Sequence, residues 1–342
     1  MNYEDIIENN RHNCNPTWWP AYAYHLTDLS NAVSILVSGK LLSRVKASEG
    51  GLMINDNASQ QVINMTNAET KSFVRFYFRP LTPTQYYNEG FKHERLRYDD
   101  DKNANIPVPV FFFMDLKNLL SEPETCFSET AQAGAGAERF YGPEQFCSLN
   151  FGRIYGNGAL EKEDVAYRHA EILYPGEYHI EKSLRGIACR TAVERVTLLN
   201  CLRDASYETY IKYRDKIRVM KEDLFYCNGL YITECDFHDS AIAIQLSDSW
   251  QKHQYMEKMK TQNNVNEMKP INATILFGFY RMGKMTNNIL KRVAIDYEKT
   301  KTVTVQKLPL ENADKLLIKV YFDNSLMCYK QFDLSADNNM VF

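Results

Sequence analysis

Apolar and polar positions along this chain change period several times, and each change marks an element. Leu29, Ala32, Val33 and Leu36 recur at helical spacing, with Asp28 placed to cap the helix and Gly39 to stop it. The preceding Tyr24-His25-Leu26-Thr27 then predicts a strand end feeding that helix. Residues 43 to 70 are polar, rich in Ser, Asn and Gly, and only weakly periodic, which predicts a long loop with a short helix in it. Phe73 to Phe78 is aromatic and β-prone, after which Pro80 and Pro83 close the strand and open a short helix through Asn88. Val108 to Met114, Arg168 to Tyr174 and Gly186 to Arg190 predict further strands. A charged helix is expected over Ser206 to Leu224.

Residues 121 to 164, rich in Gly, Ala and Glu and including Ala133-Gly134-Ala135-Gly136-Ala137, predict a mobile insertion, with a plain surface loop as the alternative. Trp250 to Lys269 reads as a linker or a charged helix. From Ile271 onward short strand-like runs follow, including Val303 to Val305 and Leu316 to Phe322, with Asp323-Asn324-Ser325 as a hairpin turn before Leu326 to Phe332. The expected organisation is α+β: a domain over residues 1–250, a linker or helix over 251–269, and a smaller β-rich C-terminal module over 270–342.

Composition narrows the class. The 342 residues are 44% hydrophobic and 24% charged, ordinary globular values with room for a large core. The net charge of -3 announces no nucleic-acid partner globally, so any such surface must be local. The acidic, polar Met1 to Asp5 is unlike an export signal, and the longest apolar run, near Val108 to Met114, is far below the roughly 18 residues that span a bilayer. A cytoplasmic location without a membrane anchor is expected. Eight cysteines are scattered without a CxxC pair, so they read as reduced thiols, and no metal site is expected. Neither a GxxxxGK[ST] loop nor a GxGxxG fingerprint occurs.

Three segments carry candidate chemistry. A histidine ahead of a helix, as in Tyr24-His25-Leu26-Thr27-Asp28, is unremarkable alone. Glu171, in Arg168-His169-Ala170-Glu171-Ile172-Leu173, is either an exposed-face acid or a desolvated carboxylate with a task, and strand alternation puts it on one face with His169. Between them, Lys71 to Tyr98 holds six Lys or Arg against two acids, a local balance of +4. Its interleaved aromatics could stack on bases while its cations meet phosphates, which nominates Arg75, Tyr86, Lys92 and Arg95 for nucleic acid. The alternative is an aromatic core strand with a solvated edge. The cations between Cys201 and Lys221 extend such a path or form a solvated helix face.

Together, Tyr24-His25-Leu26-Thr27 with Asn31, then Phe76-Tyr77-Phe78-Arg79-Pro80 with Thr82-Pro83, then Arg168-His169-Ala170-Glu171 resemble, in order and spacing, the DarT family of DNA ADP-ribosyltransferase toxins, over residues 20 to 200. The resemblance implies an ADP-ribosyltransferase-like fold with a central split β-sheet, NAD as co-substrate without a metal, single-stranded DNA as acceptor, and a macrodomain antitoxin of the DarG type as partner in a toxin-antitoxin or phage-defence pair. By the same resemblance, His25, Leu26, Thr27, Asn31, Arg44 and Tyr77 hold NAD, and Glu171 stabilises the departing nicotinamide ribose. Relatives read Asn-Pro-Arg-Ser-Pro after the aromatic strand, where this chain has Arg79-Pro80-Leu81-Thr82-Pro83. Leu81 cannot replace the arginine. Arg79, two residues earlier and of the same parity, is therefore expected to act in its place. The wording Thr82-Pro83-Thr84-Gln85 suggests guanine over thymine as acceptor. The competing readings are a nucleic-acid-binding module that has lost catalysis through Leu81, and a transferase acting on RNA or protein.

Overall fold

The structure is a computed structural model, and it describes residues 2–50, 69–98, 105–132, 138–158, 161–310 and 313–334. Its strands are β1 (Tyr22–Asp28), β2 (Lys40–Leu42), β3 (Phe73–Tyr77), β4 (Pro109–Asp115), β5 (Cys126–Ser128), β6 (Glu171–Pro175), β7 (Glu177–His179), β8 (Leu184–Cys189), β9 (Ile217–Val219), β10 (Ile232–His238), β11 (Ala241–Leu246), β12 (Ile271–Arg281), β13 (Lys284–Ile295), β14 (Thr302–Val305), β15 (Lys315–Phe322) and β16 (Ser325–Asp333). Seven of them form one mixed sheet in the order β5-β6-β3-β1-β4-β8-β9, and β2 pairs separately with β7. Smaller sheets, β10-β11-β14 and β13-β12-β15-β16, are both antiparallel. The α+β class and the β-rich C-terminal region are as the sequence predicts.

β4 shows why the large sheet is stable. Every residue from Pro109 to Met114 is buried, as a central strand covered on both faces requires, and its run of phenylalanines reads as continuous apolar sequence for that reason. The helix after β1 spans Leu29–Ser38. The Asp28 side chain accepts from the Ser30 amide at its start, and Gly39 closes it at φ 69°, a left-handed conformation that favours glycine. The helix is thereby bounded on one side by β1 and on the other by β2. A short helix Pro83–Asn88 follows β3, again as the prolines predict.

Three expectations need correction. Residues 121 to 164 are not a plain loop: they contain β5 and the helices Gly142–Cys147 and Phe151–Ile154, anchored by the buried Phe146 and Ile154, and they lead into the helix Asp164–Tyr167. Their Ala133 to Ala137 run lies outside the described residues, as does most of the loop expected over 43 to 70, whose helix is Arg44–Glu49. β6 begins at Glu171, because Arg168 caps the preceding helix, so His169 does not share a strand face with Glu171. The helix expected over Ser206 to Leu224 covers only Tyr207–Tyr213, after which β9 joins the sheet. A longer helix, Ala192–Ala205, precedes it, and its buried face includes Glu194, Thr197 and Asn200.

Trp250–Gln262 is a helix that buries Lys252, Tyr255, Met256 and Met259, the i, i+3, i+4, i+7 stripe of an amphipathic element. β14 crosses back to pair with β11, so the chain beyond residue 300 completes a sheet begun near residue 232.

Candidate active site

The three chemically suggestive segments occupy three adjacent strands. β3 lies between β1 and β6, with Tyr77 opposite Tyr24 on one side and opposite Glu171 on the other. This arrangement brings His25 and Glu171 to the two flanks of Arg75. The His25 Nδ1 lies 3.1 Å from the Arg75 carbonyl oxygen. A carbonyl can only accept, so Nδ1 carries the proton and Nε2 of the neutral ring is left as an acceptor. Burial lowers the His25 pKa, against the Arg75 carbonyl, which favours that neutral form.

Glu171 is fully buried. Arg75 meets it in a two-point fork: Nε donates to Oε2 at 3.1 Å, and Nη2 donates to Oε1. A backbone hydrogen bond from Gln132 adds a further donor. Burial raises the Glu171 pKa, while the Arg75 guanidinium and these hydrogen bonds pull it down. Burial also works against the charge of Arg75, but Glu171 more than compensates and the Arg75 pKa is raised. The Tyr77 phenol is raised by burial and by the neighbouring carboxylate, and its side chain is hydrogen-bonded to Thr84. Thr84 Oγ1 in turn lies 3.4 Å from His169 Nδ1. Burial, and then Arg75, pull the His169 pKa down to about 4, so its ring is neutral at neutral pH. A desolvated carboxylate held by one guanidinium, beside neutral polar groups, is suited to stabilising positive charge and to taking up a proton.

Arg79, expected to replace the missing arginine, lies elsewhere. Its guanidinium is buried 4.5 Å over the Trp19 ring and donates to the carbonyls of Pro80, Ile154 and Gly156. Burial, and then Arg168, lower its pKa to about 10. Lys92, expected on nucleic acid, is fully buried. Its ammonium lies 3.7 Å from the Tyr255 ring and donates to the backbone and side-chain oxygens of Asn228, leaving no open face for a phosphate. Arg95 is exposed in a short 3-10 turn, Glu94–Leu96, and Tyr86 is half-buried with the Lys258 ammonium 4.7 Å from its ring.

Leu26 and the buried Thr27 follow His25 along β1, Asn31 lies in the first turn of the helix beyond it, and Arg44 opens the helix Arg44–Glu49. Arg75 was nominated for DNA and instead holds the carboxylate. Gln132 was not nominated at all, and Thr84 entered only through the segment Thr82 to Gln85 read for the acceptor base. Thr84 follows Pro83 in a capped helix, a position legible in sequence, but no sequence signal marks Gln132.

Among the described residues no group of three or more His, Cys, Asp and Glu is placed to hold a metal ion, and no helix is long and apolar enough to cross a membrane.

The family model described as "ssDNA thymidine ADP-ribosyltransferase, DarT" matches residues 24–226, more than half of the chain. The chain belongs to the DarT family. Solved structures similar to this DarT-family chain include Thermus sp. 2.9 DarT in complex with ADP-ribosylated ssDNA, at 15% identity over 60% of this chain and 97% of that one, with a TM-score of 0.46. The same Thermus protein in complex with carba-NAD+ gives 17% identity over 60% and 98% of the two chains and a TM-score of 0.43. Thermosipho africanus DarTG in complex with ADP-ribose gives 13% identity over 59% of this chain and 50% of that chain, with a TM-score of 0.44. No curated protein matches the chain. The family match covers β1 from Tyr24 onward and the whole of β3 and β6.

Proposed function

We propose that this DarT-family chain transfers ADP-ribose from NAD to a base of single-stranded DNA, with Glu171 as its catalytic carboxylate. The observation that carries the reading is the burial of Glu171 at the start of β6, forked by Arg75 and separated from His25 by the single strand β3. In the reaction the bond between the ribose C1′ and the nicotinamide nitrogen breaks, and nicotinamide leaves with the electron pair. Glu171 accepts the 2′-hydroxyl of that ribose and stabilises the positive charge that develops. A base nitrogen then bonds to C1′, and its proton passes to the carboxylate.

His25 accepts a ribose hydroxyl at Nε2. Leu26, Thr27, Asn31, Arg44 and Tyr77 line the NAD pocket, and Tyr86 and Arg95 face the DNA. Arg75, not Arg79, is the guanidinium of the site in this reading, so the substitution at Leu81 does not imply lost catalysis. The transferase unit is residues 1–250, followed by the helix Trp250–Gln262 and a β-rich region whose strand β14 returns to pair with β11 of that unit. The biological setting is a cytoplasmic toxin paired with a macrodomain antitoxin of the DarG type.

Mass spectrometry of a defined single-stranded oligonucleotide after incubation with NAD tests the reading. The intact protein should add one ADP-ribose, and Glu171→Ala should add none. Fragment masses then assign thymine, which the family description names, or guanine, which the segment Thr82 to Gln85 suggested. Label on RNA or protein with none on DNA would replace the acceptor, and absence of nicotinamide release would remove the activity.

A further inference from the structure

The hairpin of β12 and β13 lies outside the family match and has no part in the site described above. Its 25 residues, Ile271 to Ile295, contain no Asp or Glu, although the chain as a whole is acidic. They do contain Arg281, Lys284, Lys291 and Arg292. All four are exposed, and none makes an ion pair with any described residue. Arg281 and Lys284 face each other across the tip, where Met282 and Gly283 both take positive φ, as a tight hairpin turn requires.

β13 is the edge of its sheet and pairs only with β12 among the described residues. Nearly every position along it is exposed. Strand alternation places Lys291 and Arg292 on opposite faces, so the ribbon offers positive charge on both sides. Lys284 and Lys291, seven residues apart, are separated by roughly 24 Å along the strand. Exposed Met282, Met285 and Leu290 lie among these cations, with Met282 88% exposed.

Edge protection accounts for one or two charges on such a strand. It does not account for the exclusion of every acid over 25 residues, or for apolar side chains left open to solvent between the cations. A polyanion that also presents unstacked apolar faces fits both features, since phosphates meet the cations and base faces bury the exposed apolar surface of the methionines and leucine.

We propose that the β12–β13 ribbon is a second binding surface for single-stranded DNA, engaging the strand beyond the segment held at Glu171. The choice of DNA over another polyanion rests on the acceptor proposed above.

The test uses the full chain and a variant carrying Arg281→Ala, Lys284→Ala, Lys291→Ala and Arg292→Ala, whose positions are all exposed. Binding of oligothymidylates of about 30 and about 6 nucleotides is followed by fluorescence anisotropy across a salt series. If the four cations each neutralise a phosphate, the intact protein loses roughly 50-fold more affinity for the long strand than the variant does between about 50 and 200 mM salt. Affinity for the short strand, and the rate of its modification, should be the same in both proteins. Equal salt dependence of the two proteins on the long strand would overturn the proposal. So would polyglutamate displacing the long strand from the ribbon more effectively than unlabelled DNA does, an outcome that assigns the surface to an acidic polypeptide. Failure of ADP-ribose transfer by the intact protein would remove the proposed activity but leave the binding difference to be read on its own.

Discussion

Arg75→Ala isolates what the fork contributes to Glu171. The carboxylate is fully buried, and besides Arg75 it has a backbone hydrogen bond from Gln132. Removing one partner of a buried ion pair typically costs about 3 to 5 kcal/mol if the other charge stays. Glu171 has a cheaper course, which is to take up a proton. Burial raises its pKa and Arg75 lowers it, so deleting the arginine leaves burial less opposed and the pKa rises further. With about 3 kcal/mol assigned to the lost pair, and about 1.4 kcal/mol for each tenfold change in ionisation, the acidic limb of the rate profile should move up by about 2 pH units.

The ionised carboxylate is the active form, so rate increases as pH rises through the pKa. The variant should therefore be slower by on the order of 100-fold below its limb and approach the parent rate at high pH. Nicotinamide release, measured as kcat/KM across pH for the parent, Arg75→Ala and Arg75→Lys, reads this directly. The lysine variant should fall between the others, since an ammonium supplies charge without the fork. A rate reduced by the same factor at every pH, with the limb unmoved, would refute the reasoning and assign Arg75 to the substrate instead.

The two displaced cations give simpler expectations. Arg79→Ala should lower stability by about 2 to 4 kcal/mol by abandoning buried carbonyl acceptors, while the rate per folded molecule changes less than about threefold. Calorimetry with active-enzyme titration checks this, and a slow protein with unaltered Tm would return Arg79 to the chemistry. Lys92→Ala should likewise destabilise by about 2 to 4 kcal/mol through the loss of its Asn228 and Tyr255 contacts, with no change in the salt dependence of DNA binding. A slope reduced by about 0.7 in that variant would instead place a phosphate on Lys92.

The local elements were readable because their determinants are local. The Asp28 cap, the Gly39 stop and the Leu29 to Leu36 stripe each act within one helix and fall where the sequence puts them. The helix Ala192–Ala205 was missed because its buried face is partly polar, with some of those groups satisfied within a turn and others by distant partners. Glu194 meets Arg190, and the Asn200 side-chain amide donates to the Tyr329 carbonyl. No periodicity announces a polar residue whose partner is 129 positions away.

The error over Arg79 has the same origin and shows how far parity can be carried. Arg75, Tyr77 and Arg79 would share one face of a continuous strand, but β3 ends at Tyr77. The chain then turns through Pro80 and through Leu81 at φ 57°, which is held by the Gln85 side chain at its amide and the Tyr226 hydroxyl at its carbonyl. Beyond the last ladder bond, parity no longer predicts direction, and the guanidinium is carried off to Ile154 and Gly156. The arginine still inside the strand, Arg75, is the one that reaches Glu171. The same distinction separates the chain's two basic segments. In Lys71 to Tyr98 a charge count overstates the surface, because Arg79 and Lys92 are consumed by buried acceptors and Arg75 by Glu171. In Arg281 to Arg292 the count holds, because none of those four side chains forms an ion pair with a described residue; Asp314, the acid at the tip, accepts instead from the Met282 amide, and the four charges remain available to a partner from outside.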